Sequence, residues 1–135
     1  MTLEENIIQL LVEQADQCRQ NARVPMTNFR VGAALITKNG KIFSGCNVEL
    51  ANYLYSICAE RTALVKMISE GDDLPVAIAV IADTNNPIAP CGQCRSMLYD
   101  FNPDLLIIMA TTRSSEVLIK TIGELLPYTY KRSDR

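Results

Sequence analysis

Three of the chain's five cysteines fall in two short segments, Cys58-Ala59-Glu60-Arg61 and Pro90-Cys91-Gly92-Gln93-Cys94, and the chain has no histidine. Zinc takes thiolate, imidazole or carboxylate donors in tetrahedral geometry, and a catalytic site keeps three protein ligands so that the fourth position stays open to water. Cys58, Cys91 and Cys94 fit that count. Glu60, two residues beyond the first cysteine, then has the place of a proton carrier, because a fourth protein ligand would close the site to hydrolysis. A glutamate in the first turn of a helix is favourable through the dipole alone. Beside three candidate ligands in a histidine-free chain, however, Glu60 is the one acid/base group that the motif carries. Arg61 can offset the negative formal charge of a tris-thiolate centre by donating hydrogen bonds to the sulfurs, the alternative being an ordinary surface arginine. Cys-x-x-Cys is also the spacing of a thioredoxin-like redox pair, but that motif does not need a third cysteine accompanied by glutamate. Cys18 and Cys46 have apolar neighbours and read as small hydrophobes.

The elements that must position these residues follow from periodicity. Thr2 and Glu5 have capping-box spacing and open a segment in which Ile7, Ile8, Leu11, Val12, Ala15 and Cys18 recur every three or four residues, a helix over about residues 3–22. Val24-Pro25 ends it. Two apolar runs, 29–37 and 41–48, flank Lys38-Asn39-Gly40, and Asn-Gly between such runs is a strong hairpin signal. Asn47 and Glu49 then share a face by the period of two, which on these residues alone reads as a solvated strand edge. Residues 50–57 form a connection. Residues 58–70 are helical up to Gly71, so Cys58 and Glu60 belong to a first turn. Residues 76–82 and 105–110 are strands buried on both faces. Between them, residues 91–101 form a helix whose first turn carries Cys91 and Cys94. A weaker strand covers 116–119, Thr121-Ile122-Gly123-Glu124 opens a short helix by a capping box, and 131–135 is a frayed tail.

Composition narrows the function classes. The 135 residues are 48% hydrophobic and 21% charged, enough for one globular domain over 1–135 and too few for two ordinary ones. No apolar run approaches the roughly 20 residues of a membrane span, and the acidic, amphipathic start is unlike a secretory signal, which points to the cytoplasm. Thirteen basic and fifteen acidic residues give a net charge of −2, without the basic stripe that nucleic acid requires. An odd number of cysteines in a reducing compartment argues for metal binding or catalysis over a disulfide framework.

Cys-Ala-Glu-Arg followed by Pro-Cys-Gly-x-Cys-Arg closely resembles the small cytidine deaminases, and zinc deaminases share such a signature. The resemblance extends to Phe29-Arg30-Val31-Gly32-Ala33-Ala34-Leu35, to Gly45-Cys46-Asn47-Val48-Glu49 and to Leu125-Leu126-Pro127. It implies an α/β fold, a three-layer α-β-α sandwich with a five-stranded mixed sheet, assembled as a homotetramer with one Zn2+ per subunit on Cys58, Cys91 and Cys94. The implied reaction is hydrolysis of cytidine or deoxycytidine to the uridine and ammonia, a step of pyrimidine salvage, with Glu60 carrying protons between water, ring N3 and the leaving amine. By the same resemblance Asn47 and Glu49 would bind the ribose 3′-hydroxyl, which reverses the strand-edge reading. Phe29 would pack on the pyrimidine, and Ala59 and Pro90 would line its polar edge. Ala51, Tyr53 and Tyr130 would complete the pocket between subunits. Departures from the usual family pattern are Met26-Thr27-Asn28-Phe29 in place of Tyr-Ser-x-Phe, Ala89 for serine, Gln93 for alanine, and Tyr130 for a terminal phenylalanine. Two alternatives stand beside this reading. One is an enzyme for another cytosine nucleoside, such as a blasticidin-type antibiotic, and the other is a non-catalytic zinc-stabilised interaction module.

Overall fold

The structure is a computed structural model and describes residues 3–134. Its centre is a five-stranded mixed sheet in the order β2-β1-β3-β4-β5, formed by β1 (Val31–Thr37), β2 (Ile42–Cys46), β3 (Pro75–Ala82), β4 (Leu106–Thr111) and β5 (Val117–Thr121). β1 pairs antiparallel with both β2 and β3, β3 and β4 run parallel, and β5 returns antiparallel to β4. The expected hairpin is β1–β2, and Gly40 supplies the left-handed residue of its turn at φ +82°, a conformation that glycine adopts without steric cost.

Helices cover both faces. Helix α1 (Glu5–Arg19) lies on one, where Leu11 and Ala15 pack with Ala34, Ala77, Ala79, Ile81, Ile108 and Ala110. On the other lie α2 (Ala59–Ser69), α3 (Gly92–Phe101) and the single-turn α4 (Ile122–Leu125). There Ala63, Leu64, Met67, Leu98 and Ile122 meet Ala33, Leu35, Ile78, Val80, Ile107 and Met109. Alternate residues of β3 therefore enter opposite cores, the reason that strand reads as one continuous apolar run. Two glycines let the helices come close. A Cβ on Gly32 would fall 1.9 Å from the Ala15 carbonyl oxygen of α1, and one on Gly45 would fall 2.5 Å from the Ala63 nitrogen of α2.

The differences from the sequence reading lie at element ends. Thr2 is outside the described residues, and α1 begins after Glu4, which makes no side-chain cap. It stops at Arg19, and turn hydrogen bonds carry the chain on to Ala22. Val48 is not in β2 but pairs in isolated bridges with Arg23 and Ile57. The stretch before Cys58 contains a short 3-10 turn, Tyr53–Tyr55. The expected capping box at Thr121 and Glu124 is present in full. The tail is more ordered than expected, with a 3-10 turn at Arg132–Asp134 closed by the Lys131 amide donating to the Asp134 carboxylate at 2.9 Å.

Candidate active site

Both cysteine segments are helix starts. Cys58 is the N-cap of α2 and Cys91 the N-cap of α3, one position earlier than first-turn residues. The Cys94 amide donates to the Cys91 sulfur at 3.4 Å. Two positive helix ends thus converge on sulfur, which favours thiolates. The Sγ atoms of Cys58, Cys91 and Cys94 all lie within 4.8 Å of one another, with Cys58 and Cys91 at 3.9 Å. Tetrahedral zinc with Zn–S distances of about 2.3 Å separates its sulfurs by about 3.8 Å. The donor set therefore fits zinc in both chemistry and spacing. Among the described residues no fourth histidine, cysteine or carboxylate joins the group, so three thiols make an open site and not a closed structural one.

Protons are shared unevenly across this cluster. The Cys58 thiol is drawn down to about 6, first because Cys94 donates to it, then through Cys91 and the Arg61 charge. The Cys94 thiol is held far up by giving its proton to Cys58, by burial and by Glu60. Glu60 itself is only 4% exposed. Burial, with a contribution from the Cys58 charge, raises its carboxyl to about 7. A carboxyl near neutrality both takes and gives a proton at physiological pH. Arg61 donates to the Ser56 carbonyl at 3.2 Å. Its side chain thus ties α2 to the preceding loop while its charge acts on Cys58.

A second group of predicted residues meets around segment 26–31. Asn47 accepts from the Val31 amide at 2.9 Å and donates to the Phe29 carbonyl at 2.8 Å. Glu49, 7% exposed, accepts from the amides of Met26 and Thr27, each at 3.2 Å, and from the Thr27 hydroxyl at 2.6 Å. These donors, the hydroxyl first, hold its carboxyl below the usual range. Phe29 remains 43% exposed. Val48 and Ile57 exchange backbone hydrogen bonds at 2.9 Å, which joins this group to the residue before Cys58.

Other predicted residues lie at the margins. Ala59 and Pro90 are buried beside the cysteine N-caps, whereas Ala51 and Tyr53 are exposed in the loop leading to Cys58. Tyr130 is 67% exposed and shares a cavity of about 660 Å³ with Gln93, between α3 and the C-terminal segment.

Sequence reasoning missed three positioning residues. Thr27 links Glu49 to the Phe29 amide, to which its hydroxyl oxygen is 3.1 Å distant. Arg23 donates to the Glu49 carbonyl, and the Glu49 amide donates to the Arg23 carbonyl at 2.7 Å. Arg95 donates to the carbonyls of Pro90 at 2.8 Å and Leu125 at 3.0 Å, fixing the loop that delivers Cys91. Its place directly after Cys94 in the motif was the available signal.

Comparison with known proteins agrees with this geometry. The family described as "Cytidine and deoxycytidylate deaminase zinc-binding region" matches residues 5–110. A cytidine deaminase of Halalkalibacterium halodurans is 42% identical over 126 residues, 93% of this chain and 96% of the relative. The 1.6 Å crystal structure of the cytidine deaminase from Burkholderia pseudomallei, also 42% identical, superimposes with a TM-score of 0.86 over 90% of this chain and 98% of that one. A blasticidin-S deaminase of Bacillus cereus is more distant, 31% identical over 76% of this chain and 78% of the relative. A family match spanning most of the residues, a superimposable fold and a three-thiol zinc site beside a buried glutamate together show that this chain belongs to the zinc-dependent cytidine deaminase family.

Proposed function

We propose that the chain catalyses hydrolytic deamination of cytidine and deoxycytidine to uridine and deoxyuridine with release of ammonia. The observation that carries this reading is the neighbourhood of a three-cysteine cluster and a buried glutamate poised near neutrality. Zinc held by Cys58, Cys91 and Cys94 supplies Lewis acidity that makes water a nucleophile at neutral pH. Glu60 takes the proton that water gives up on adding to C4 and passes it to ring N3. It then takes the proton of the new C4 hydroxyl and delivers it to the exocyclic amine, which departs as ammonia while the C4 carbonyl forms. Its burial keeps bulk water from competing for those protons.

The remaining roles are our assignments for this chain. Phe29, left exposed by segment 26–31, packs on the pyrimidine. Backbone groups at Ala59 and Pro90 read the polar edge of the base. Glu49 retains acceptor capacity on its carboxylate and Asn47 a second amide proton, and these meet the sugar 3′-hydroxyl. A neutral nucleoside suits this acidic margin better than a phosphorylated one. Arg61 moderates the charge of the thiolates.

We further place the chain as a single deaminase domain, cytoplasmic, in pyrimidine salvage, and as a homotetramer. Free thiols as ligands favour a reducing compartment. Apolar side chains exposed on the 53–55 turn and on α2, Val65 and Ile68 among them, favour burial against other subunits, with Ala51, Tyr53 and Tyr130 at the pocket margin. The test is zinc analysis of purified protein together with the absorbance change on cytidine, deoxycytidine and a blasticidin-type nucleoside. One zinc per chain with the highest kcat/KM on the first two is expected. Preference for the antibiotic would favour the second enzyme reading, and full zinc without turnover of any would favour a non-catalytic module.

A further inference from the structure

The two edges of the sheet are finished differently. At β2, Lys66 of α2 donates to the Ser44 carbonyl at 2.6 Å, so a charged side chain guards that edge. β5 is hydrogen-bonded on one side alone, to β4. Its register there is unbroken from Val117 to Thr121, it contains no proline, and Val117, Leu118 and Ile119 are all exposed. An open, apolar, regular edge is a template for another strand.

The backbone shows which groups are free. The Ile122 amide donates to the Leu105 carbonyl at 2.8 Å, in line with the β4–β5 register. By the period of two, Leu118 and Lys120 turn their backbone groups to β4, and Val117 and Ile119 turn theirs outward. The outward amide of Thr121 is taken by the Glu124 carboxylate at 3.0 Å, which closes that end of the free edge.

We propose that β5 pairs antiparallel with β5 of a second copy of this chain, about a two-fold axis at Leu118, joining the two sheets edge to edge.

Charge and hydropathy select this partner and this register. A second β5 laid antiparallel about Leu118 sets Val117 opposite the partner's Ile119, Leu118 opposite the partner's Leu118, and Glu116 opposite the partner's Lys120. The outward groups of Val117 and Ile119 then exchange backbone hydrogen bonds with those of the partner. Apolar side chains meet apolar ones, and opposite charges meet twice, a favourable cross-strand pairing. A slip of two residues in either direction sets Glu116 and Lys120 against uncharged residues, and an in-register parallel alignment sets like charges side by side. Within its own chain Lys120 meets only Glu124, across 3.8 Å of solvent-exposed surface, so its charge remains available. One short strand from each chain is small beside a standard interface of about 800 Å² per partner, so the pairing on its own is reversible. It uses neither α2 nor the 53–55 turn, and its test is independent of whether those surfaces build a tetramer.

The experiment traps the register with cysteines in zinc-loaded protein. Opposed residues whose backbones face away from each other lie about 4.5 Å apart at Cα, within disulfide reach, so Leu118→Cys should link to its own copy. In Val117→Cys or Ile119→Cys the like positions are diagonal, about 7–8 Å apart, and bridge poorly. With oxidised glutathione, Leu118→Cys is expected to give a covalent dimer at least about tenfold faster than either neighbour or the wild type, with zinc retained at one per chain. Adding Lys120→Glu should slow that linkage by opposing Glu116 to a second glutamate, and adding Glu116→Lys as well should restore it. Linkage of Leu118→Cys no faster than that of Val117→Cys overturns the proposal, as does linkage indifferent to Lys120→Glu. Should Leu118→Cys fold poorly, a mixture of Val117→Cys and Ile119→Cys chains tests the same register, because these two positions oppose each other and should link as a mixed dimer; failure to link overturns the pairing.

Discussion

Glu60 and Glu49 are both nearly inaccessible to solvent, at 4% and 7% exposure, yet their carboxyls move in opposite directions. Glu60 stands behind the thiols, where burial dominates and raises it to about 7. Glu49 accepts from two amides and a hydroxyl, and its charged form is the favoured one. Burial without enough donors makes a proton carrier, whereas burial with donors makes a clamp. The two halves of the site divide along the same line. The cysteine half hangs on helix N-caps over a packed core, and the half we propose for the nucleoside hangs on side chains that reach across loops.

Breaking the zinc half has the largest expected effect. Cys94→Ala removes a fully buried sulfur and should reduce zinc from one per chain to near zero and abolish turnover, as measured by metal analysis and activity on the same sample. In metal-free protein, Glu60→Gln should reveal the cost of ionising the buried carboxyl. The folded state of the wild type keeps this proton up to about pH 7 while the unfolded chain releases it near 4.5, so stability falls as pH rises through that window. The glutamine variant lacks this loss and should be the more stable by about 3 kcal/mol above pH 7. Denaturant melts of chelated samples across pH check it, and parallel curves would contradict it.

The nucleoside half should respond through substrate, with zinc unchanged. Glu49→Gln removes a charged acceptor that orders segment 26–31, and kcat/KM should fall by roughly 10- to 100-fold. The effect of Thr27→Val is expected to be smaller, a few-fold rise in KM, since the amides of Met26 and Thr27 still reach Glu49. Acid sharpens the contrast between the halves. With its carboxyl held low, Glu49 contributes stability above its unfolded value near 4.5, lost as pH falls through the lower folded value. Protection of the Met26 and Thr27 amides, taken as the exchange rate relative to the intrinsic rate at each pH, should therefore fall on acidification below about pH 4.5, a range in which Glu60 is already protonated in both states.

These halves also differ in how far they were legible in the sequence. Cys58, Glu60, Cys91 and Cys94 are separated by short intervals near predictable helix starts, so their types and spacing announced a metal site before any fold was known. The Asn-Gly turn, the buried strands and the capping box at Thr121 were equally local. Asn47 and Glu49 looked like a strand edge because their partners, Phe29, Val31 and Thr27, are distant in sequence. The Arg95 bond to Pro90 depends on helix placement, which local periodicity does not encode. Gly32 permits the close approach of α1, and its role appears only once α1 lies across it.

In the reaction proposed above, Glu60 moves the protons without holding the metal. The most direct test of this role is the steady-state kcat/KM of Glu60→Gln on cytidine, with zinc measured on the same preparation. One zinc per chain and a loss of about 10²- to 10⁴-fold are expected. Wild-type turnover at full zinc occupancy would contradict it.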